Sequence, residues 1–193
     1  MVGNISKYTR LDVLRAFIAL RDEKKSRKEL SDSLEIGEGT LRSILDKLKQ
    51  KKLIESTQQG HKFTKKGEGF YKELLELIDP PKKVRTSFYK NKKQTGLLLK
   101  NRRDVKIGIE KRDIAIKHGA DGAIILKFRE RLFFPDMEYE TKDFDMLEKQ
   151  FDLEKNNILI ITYSDTTRFA ELSAIGCAAA INPELEKLVE KLD

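Results

Sequence analysis

The chain has 193 residues, 39% of them hydrophobic and 37% charged, with a formal net charge of +7 and a pI of about 9.3. That is enough apolar material for one or two cored domains, which excludes a wholly disordered chain. No apolar run approaches the ~18 residues of a membrane span, and the lone cysteine, Cys177, excludes an intrachain disulfide and a cysteine-based zinc site.

The N-terminal residues lack the long apolar core of a secretory signal, so the cytoplasm is the expected location. The charge is unevenly spread. Residues 1–79 carry a net +4, residues 80–112 a net +10 and residues 113–193 a net −7. A basic front and middle point to a polyanionic partner such as nucleic acid. A solvated Lys/Glu-rich surface is the plain alternative.

The apolar spacing predicts a first helix over residues 10–21, with Leu11, Leu14, Phe17 and Ile18 on one face and Arg15 and Arg21 pointing away. The charged run 22–25 interrupts that pattern. Ser26-Arg27-Lys28-Glu29 has the form of a capping box and opens a second helix running to about Leu34. Gly37 is expected to take the positive φ of a tight helix–helix turn. A third helix spans Glu38 to Lys51, with Leu41, Ile44, Leu45 and Leu48 inward.

Residues 53–57 and 62–64 read as two short strands joined by the polar tip Gln58-Gln59-Gly60-His61. A fourth helix over residues 66–78 is stopped by Asp79-Pro80-Pro81, and the domain boundary is placed there. Residues 80–94 read as a basic linker. Beyond it, residues 95–100, 105–109, 123–128, 131–134 and 158–163 are strand-like, the last being the most apolar and hence central. Helices are expected over 113–118, 144–151, 166–181 and 184–192. The fold class is α+β: an N-terminal winged helix-turn-helix (1–79) followed by a smaller mixed α/β domain (95–193).

In a helix-turn-helix the early outward side chains of the second motif helix reach base edges in the major groove. Here these are Thr40, Arg42 and Ser43, with Lys47 and Lys49 further along. Arg42 suits a bidentate guanine contact, and the lysines suit phosphates. The wing tip adds Gln59, His61 and Lys62. Against this, Glu38 and Asp46 repel phosphate, lysines on an outer helix face are ordinarily just solvated, and winged helices also serve as protein-interaction modules.

Residues 8–78 resemble the winged-helix domain of prokaryotic regulators of the MarR/ArsR kind, above all archaeal ones. The stretches that carry the resemblance are SRKELSDSLEIGEGTLRSILDKLKQKKLIES and KFTKKGEGFYKEL, the second with a Thr64-x-x-Gly67 step into the last helix. The resemblance implies a DNA-binding transcriptional regulator without specifying operator or effector, and a homodimer is expected because paired recognition helices match half-sites about one DNA turn apart. The rear of the chain resembles an uncharacterised domain that accompanies winged helices in archaea, and that resemblance implies no activity.

Lys82, Lys83, Arg85, Lys90, Lys92, Lys93, Lys100, Arg102 and Arg103 surround Phe88 and Tyr89. Such a segment can add phosphate contacts, or it can be an ordinary charged strand pair. In the rear domain no P-loop, nucleophile elbow or His-Glu-x-x-His occurs, and His61 and His118 lie far apart in sequence, so no catalytic role is expected. Ser164, Asp165, Thr166, Thr167 and Arg168 follow the apolar strand and open a helix. They suit a small anionic effector, although Ser164 or Asp165 as a simple N-cap explains them as well. The expected partners are double-stranded DNA, a small anionic effector and a second copy of the chain, with no cofactor, metal or membrane. Two other readings stay open: an enzyme acting on a nucleotide or cofactor that uses the winged helix for targeting, and a protein-interaction adaptor.

Overall fold

The computed structural model describes residues 8–21, 26–58, 60–100, 105–108 and 110–193. It is α+β, and the chain divides into two compact units: residues 1–73 with 187–193, and residues 74–186.

The first unit begins with α1 (Arg10–Ala19), α2 (Arg27–Leu34) and α3 (Glu38–Gln50), and continues through β1 (Ile54–Thr57), β2 (Gly60–Phe63) and most of α4 (Lys65–Leu77), whose residues from Leu74 on belong to the second unit. This is the element order of a winged helix-turn-helix. Thr9 and Asp12 form a capping box on α1, and Ser26 and Glu29 form one on α2. The core joins Leu14, Phe17, Leu41, Ile44 and Leu48, all essentially inaccessible. Phe17 stacks on Phe63 of β2 at 4.4 Å between centroids and meets Phe70 of α4 edge-on at 5.2 Å. Arg15 does not point away as the apolar spacing suggested. It is buried beside Asp12, and its guanidinium donates to the Leu34 carbonyl at 3.2 Å, compensating the end of α2.

The turn between α2 and α3 also corrects an expectation. Glu35, not Gly37, takes the left-handed conformation (φ 51°), while Gly37 is extended at φ −66°. Ile36 N–H donates to the Ser31 carbonyl at 3.1 Å, and the Ser31 hydroxyl donates back to the Ile36 carbonyl at 2.5 Å. These bonds close the turn around the buried Ile36 and hold Glu35 in place.

The second unit is built on a five-stranded, wholly antiparallel sheet of order β3-β4-β7-β5-β6. Its strands are β3 (Ile78–Lys83), β4 (Lys93–Leu99), β5 (Gly122–Phe128), β6 (Leu132–Phe133) and β7 (Ile158–Ser164). Its helices are α5 (Glu110–Lys117), α6 (Lys142–Gln150) and α7 (Thr167–Ile181), and α8 (Pro183–Glu190) belongs to the first unit from Lys187 on. β7 is central, as its apolar run predicts.

Three expectations are overturned here. The boundary residues 79–81 lie inside strand β3 and the linker residues 80–94 run from β3 through a connection into β4, so this unit begins near Leu74 and is the larger of the two. Pro80 and Pro81 fit because β3 is an edge strand and its register with β4 shifts between Asp79 and Lys82, where no ladder bond is needed from them. Residues 105–108 form no strand, and Ile109 lies outside the described residues.

Alternation along the strands gives the sheet two buried faces. Leu98, Leu126, Leu159 and Ile161 pack with Phe144, Leu147 and Phe151 of the α6 region. On the other face the Thr162 hydroxyl donates to the Ala170 carbonyl of α7. The small residues of α7 are matched to α5: Ser173 Oγ donates to the Ala115 carbonyl at 3.0 Å and Cys177 Sγ to the Lys111 carbonyl at 3.3 Å. A methyl group on Gly176 would lie 2.3 Å from the His118 ring. Ser173 through Ala179 are thus buried within the chain itself.

Candidate nucleic-acid interface

The 3.6-residue period of α3 separates a buried stripe (Leu41, Ile44, Leu45, Leu48) from an outer face carrying Thr40, Arg42, Ser43, Asp46, Lys47 and Lys49. Thr40, Ser43 and Lys47 share one line of that face at spacings of three and four. Arg42, Asp46 and Lys49 share the neighbouring line. The Ser43 hydroxyl donates to the Gly39 carbonyl at 3.2 Å, and Lys49 pairs with Asp46 at 3.5 Å. Arg42 is exposed and has no partner among the described residues. The α3 N-cap, Gly37, contributes no side-chain bond, so the first N–H groups of the helix stay available.

The wing is the antiparallel pair β1–β2, in which Ser56 faces His61 and Glu55 faces Lys62. Lys62 and Glu55 pair at 3.0 Å, so the lysine charge is partly compensated. Gln59 lies outside the described residues. Burial, then the Lys49 ammonium and the Arg27 guanidinium, hold the His61 imidazole below its ordinary value, with Asp46 opposing. Arg27 at the start of α2 and Lys49 late on α3 thus both act electrostatically on His61 of the wing, against Asp46, which pairs with Lys49. Arg27 was not among the residues singled out from sequence. Its only local signal is a cation in the first helical turn, where acids are favoured.

A hydrogen-bonded step sets the wing against α4. Thr64 Oγ1 accepts from the Gly67 N–H at 3.1 Å and donates to the Lys52 carbonyl at 2.6 Å. Thr64 N–H donates to the Leu53 carbonyl at 3.0 Å, and a Cβ on Gly67 would lie 1.9 Å from that same oxygen. The Thr-x-x-Gly step is thus a steric requirement for bringing α4 against the strand entry.

The structure brings Ser164, Asp165, Thr166, Thr167 and Arg168 together where β7 enters α7. The cap is Thr166, whose hydroxyl accepts from Phe169 N–H at 3.2 Å, and not Ser164 or Asp165. Ser164 Oγ donates to the Gly119 carbonyl at 3.3 Å, Asp165 pairs with Lys92 at 2.7 Å, and Arg168 lies 5.7 Å from the Phe169 ring centroid. The antiparallel sheet also removes the strand-end argument for a ligand there, which belongs to parallel α/β sheets. Burial pushes the Cys177 thiol up to about 12, so it is a packed core group and not a nucleophile.

The aromatics of the basic segment meet other rings of the protein, although Phe88 is only half-buried and Tyr89 stays exposed. Tyr89 stacks on Tyr163 at 3.5 Å, and Phe88 meets Phe134 at 6.2 Å. Arg102 and Arg103 lie outside the described residues. Among the described residues, no helix is long and apolar enough to cross a membrane, and no group of three or more His, Cys, Asp or Glu is placed to hold a metal.

Two family descriptions match the chain: "PH0730-like, N-terminal domain" over residues 10–69, and "Domain of unknown function (DUF4443)" over residues 90–181. Among solved structures the chain is similar to the hypothetical protein PH0730 from Pyrococcus horikoshii OT3. The two are 32% identical, the match covers 94% of this chain and 100% of that one, and the TM-score is 0.78. No curated protein matches.

Proposed function

The chain belongs to the same family as the hypothetical protein PH0730 from Pyrococcus horikoshii OT3, and from that premise we propose that it is a sequence-specific DNA-binding transcriptional regulator. The observation that carries the reading is the outer face of α3. Arg42 is exposed there without an internal partner, beside Thr40, Ser43 and Lys47, on a helix whose opposite face is locked into the core. In this reading α3 enters the major groove and Arg42 reads a guanine edge with two parallel hydrogen bonds. Lys47 and Lys49, with Lys62 and His61 from the wing, lie on phosphates, and Arg27 joins them.

The second unit then serves to join two copies or to respond to a small anionic effector. Two linked heads match half-sites about one DNA turn apart, and an effector that prefers one arrangement of the heads shifts operator affinity by population shift. The reading involves no catalytic step and places the protein with the chromosomal DNA of the cytoplasm.

The test is fluorescence-anisotropy titration of duplex DNA across a salt series. The expected result is a linear fall of log affinity with log salt, weakened by Lys47→Ala and Lys62→Ala. Arg42→Ala is expected to cost about 1–3 kcal/mol on a selected site and much less on random sequence. Equal losses on both would remove Arg42 from base reading. No binding at low salt would favour the adaptor reading and overturn this one.

A further inference from the structure

β3 and β4 run antiparallel, with Lys83 opposite Thr95, and Val84 N–H donates to the Gln94 carbonyl one step beyond the ladder. From Lys83 to Thr86 the side chains alternate out and in, so that Val84 and Thr86 are buried while Lys83 and Arg85 are exposed on one side. The connection returns through Lys90, Asn91 and Lys93, which are exposed, and Lys92, which is half-buried. Together these residues line an open groove of about 440 Å³ with no carboxylate in its wall.

The cations of this region fall into two sets. Lys82 donates to the Gln150 carbonyl and covers the Phe151 ring, Lys92 pairs with Asp121 and Asp165, and Lys100 pairs with Asp79. Lys83, Arg85, Lys90 and Lys93 have no partner among the described residues. Four neighbouring cations without counter-charge repel one another, and an external polyanion relieves that repulsion.

The frame beneath them is rigid. Gln94 is buried; its Oε1 accepts from Thr86 N–H (3.0 Å) and the Thr86 hydroxyl (2.7 Å), and its Nε2 donates to the Tyr89 carbonyl at 2.8 Å. Tyr89 is held in turn by its stack on Tyr163. The floor of the groove is therefore held by internal hydrogen bonds, and the four cations around it face solvent. A site for a small ligand is expected to enclose it within mostly apolar walls. An open wall of lysines with one arginine fits a ligand that repeats its charge, with lysines acting as point charges and Arg85 able to bind two phosphate oxygens.

We propose that this groove is a second nucleic-acid contact, binding the phosphodiester backbone of duplex DNA without reading sequence. It is separate from the α3 face and does not depend on it.

The experiment uses the full chain and a random-sequence duplex, comparing the parent protein with a variant carrying Lys83→Gln, Arg85→Gln, Lys90→Gln and Lys93→Gln. If all four charges reach phosphate, the slope of log affinity against log salt falls by about 3 to 4. The affinity lost between about 50 and 200 mM salt then shrinks roughly 100-fold. All four side chains are exposed, so the melting temperature should hold. If the fourfold variant does not fold, the double variants at 83/85 and at 90/93 carry the test, each lowering the slope by about half as much. An unchanged slope overturns the proposal, as does a parent protein that binds no duplex at low salt. Failure of the α3 reading registers separately, as Arg42→Ala and Lys47→Ala variants that bind like the parent while the groove variant still loses slope.

Discussion

His61 shows how one residue's surroundings can be turned into a test. Its imidazole is held below the ordinary value of about 6.5 by burial and by Lys49 and Arg27, with Asp46 acting the other way. The native state therefore holds fewer protons than the unfolded chain just below that value. The associated stability is fully present above about pH 6.5 and is lost as pH falls through the lowered folded value. A phosphate near His61 would favour the imidazolium instead, so binding DNA would take up a proton. Affinity for duplex DNA is expected to rise as pH falls from about 7.5 to 5.5, and His61→Gln should flatten that rise. A Gln variant with the parent's pH profile would place His61 away from the phosphates. Arg15 illustrates the opposite limit of local reading. Helical spacing cannot show that a carbonyl at Leu34, nineteen positions on, receives its guanidinium.

At the scale of elements, the junction from β1 through β2 to α4 rests on backbone packing. Gly67 sits where any Cβ would collide with the Leu53 carbonyl oxygen, a backbone atom that cannot swing aside. Gly67→Ala is expected to destabilise the protein by about 1–3 kcal/mol or more, read as a lower melting temperature. Gly69→Ala, on the same helix but with open space around its Cβ, should be neutral or stabilising by up to about 1 kcal/mol. Equal effects from the two would refute the steric account. Most elements were legible in the sequence because caps and apolar periods are local. Strand β3 was not, since two prolines argue against a strand unless it lies at an edge with a register shift. Only the pairing with β4 reveals that edge.

For the molecule as a whole, the basic middle and the acidic rear of the sequence both belong largely to the second unit. Cys177, the lone cysteine, is buried in α7 of that unit with its thiol pushed up to about 12. It therefore reports on that unit's integrity. Reaction with a thiol reagent at neutral pH is expected to be slow in buffer and to accelerate with denaturant along the unfolding transition. Labelling at the rate of a free thiol without denaturant would contradict the packing of α7 on α5.

The sequence by itself determined the α+β class, the order of helices and strands in the first unit, the capping boxes and the outer face of α3. Each of these follows from residues within a turn or two of one another. The tertiary structure decided which charges are free. It put His61 within the electrostatic influence of Arg27, Lys49 and Asp46, bound Lys92 between Asp121 and Asp165, and left Lys83, Arg85, Lys90 and Lys93 around an open groove. It also made the sheet antiparallel and moved the helix cap to Thr166. These outcomes depend on pairings between residues distant in the chain, and neither spacing nor composition encodes those directly.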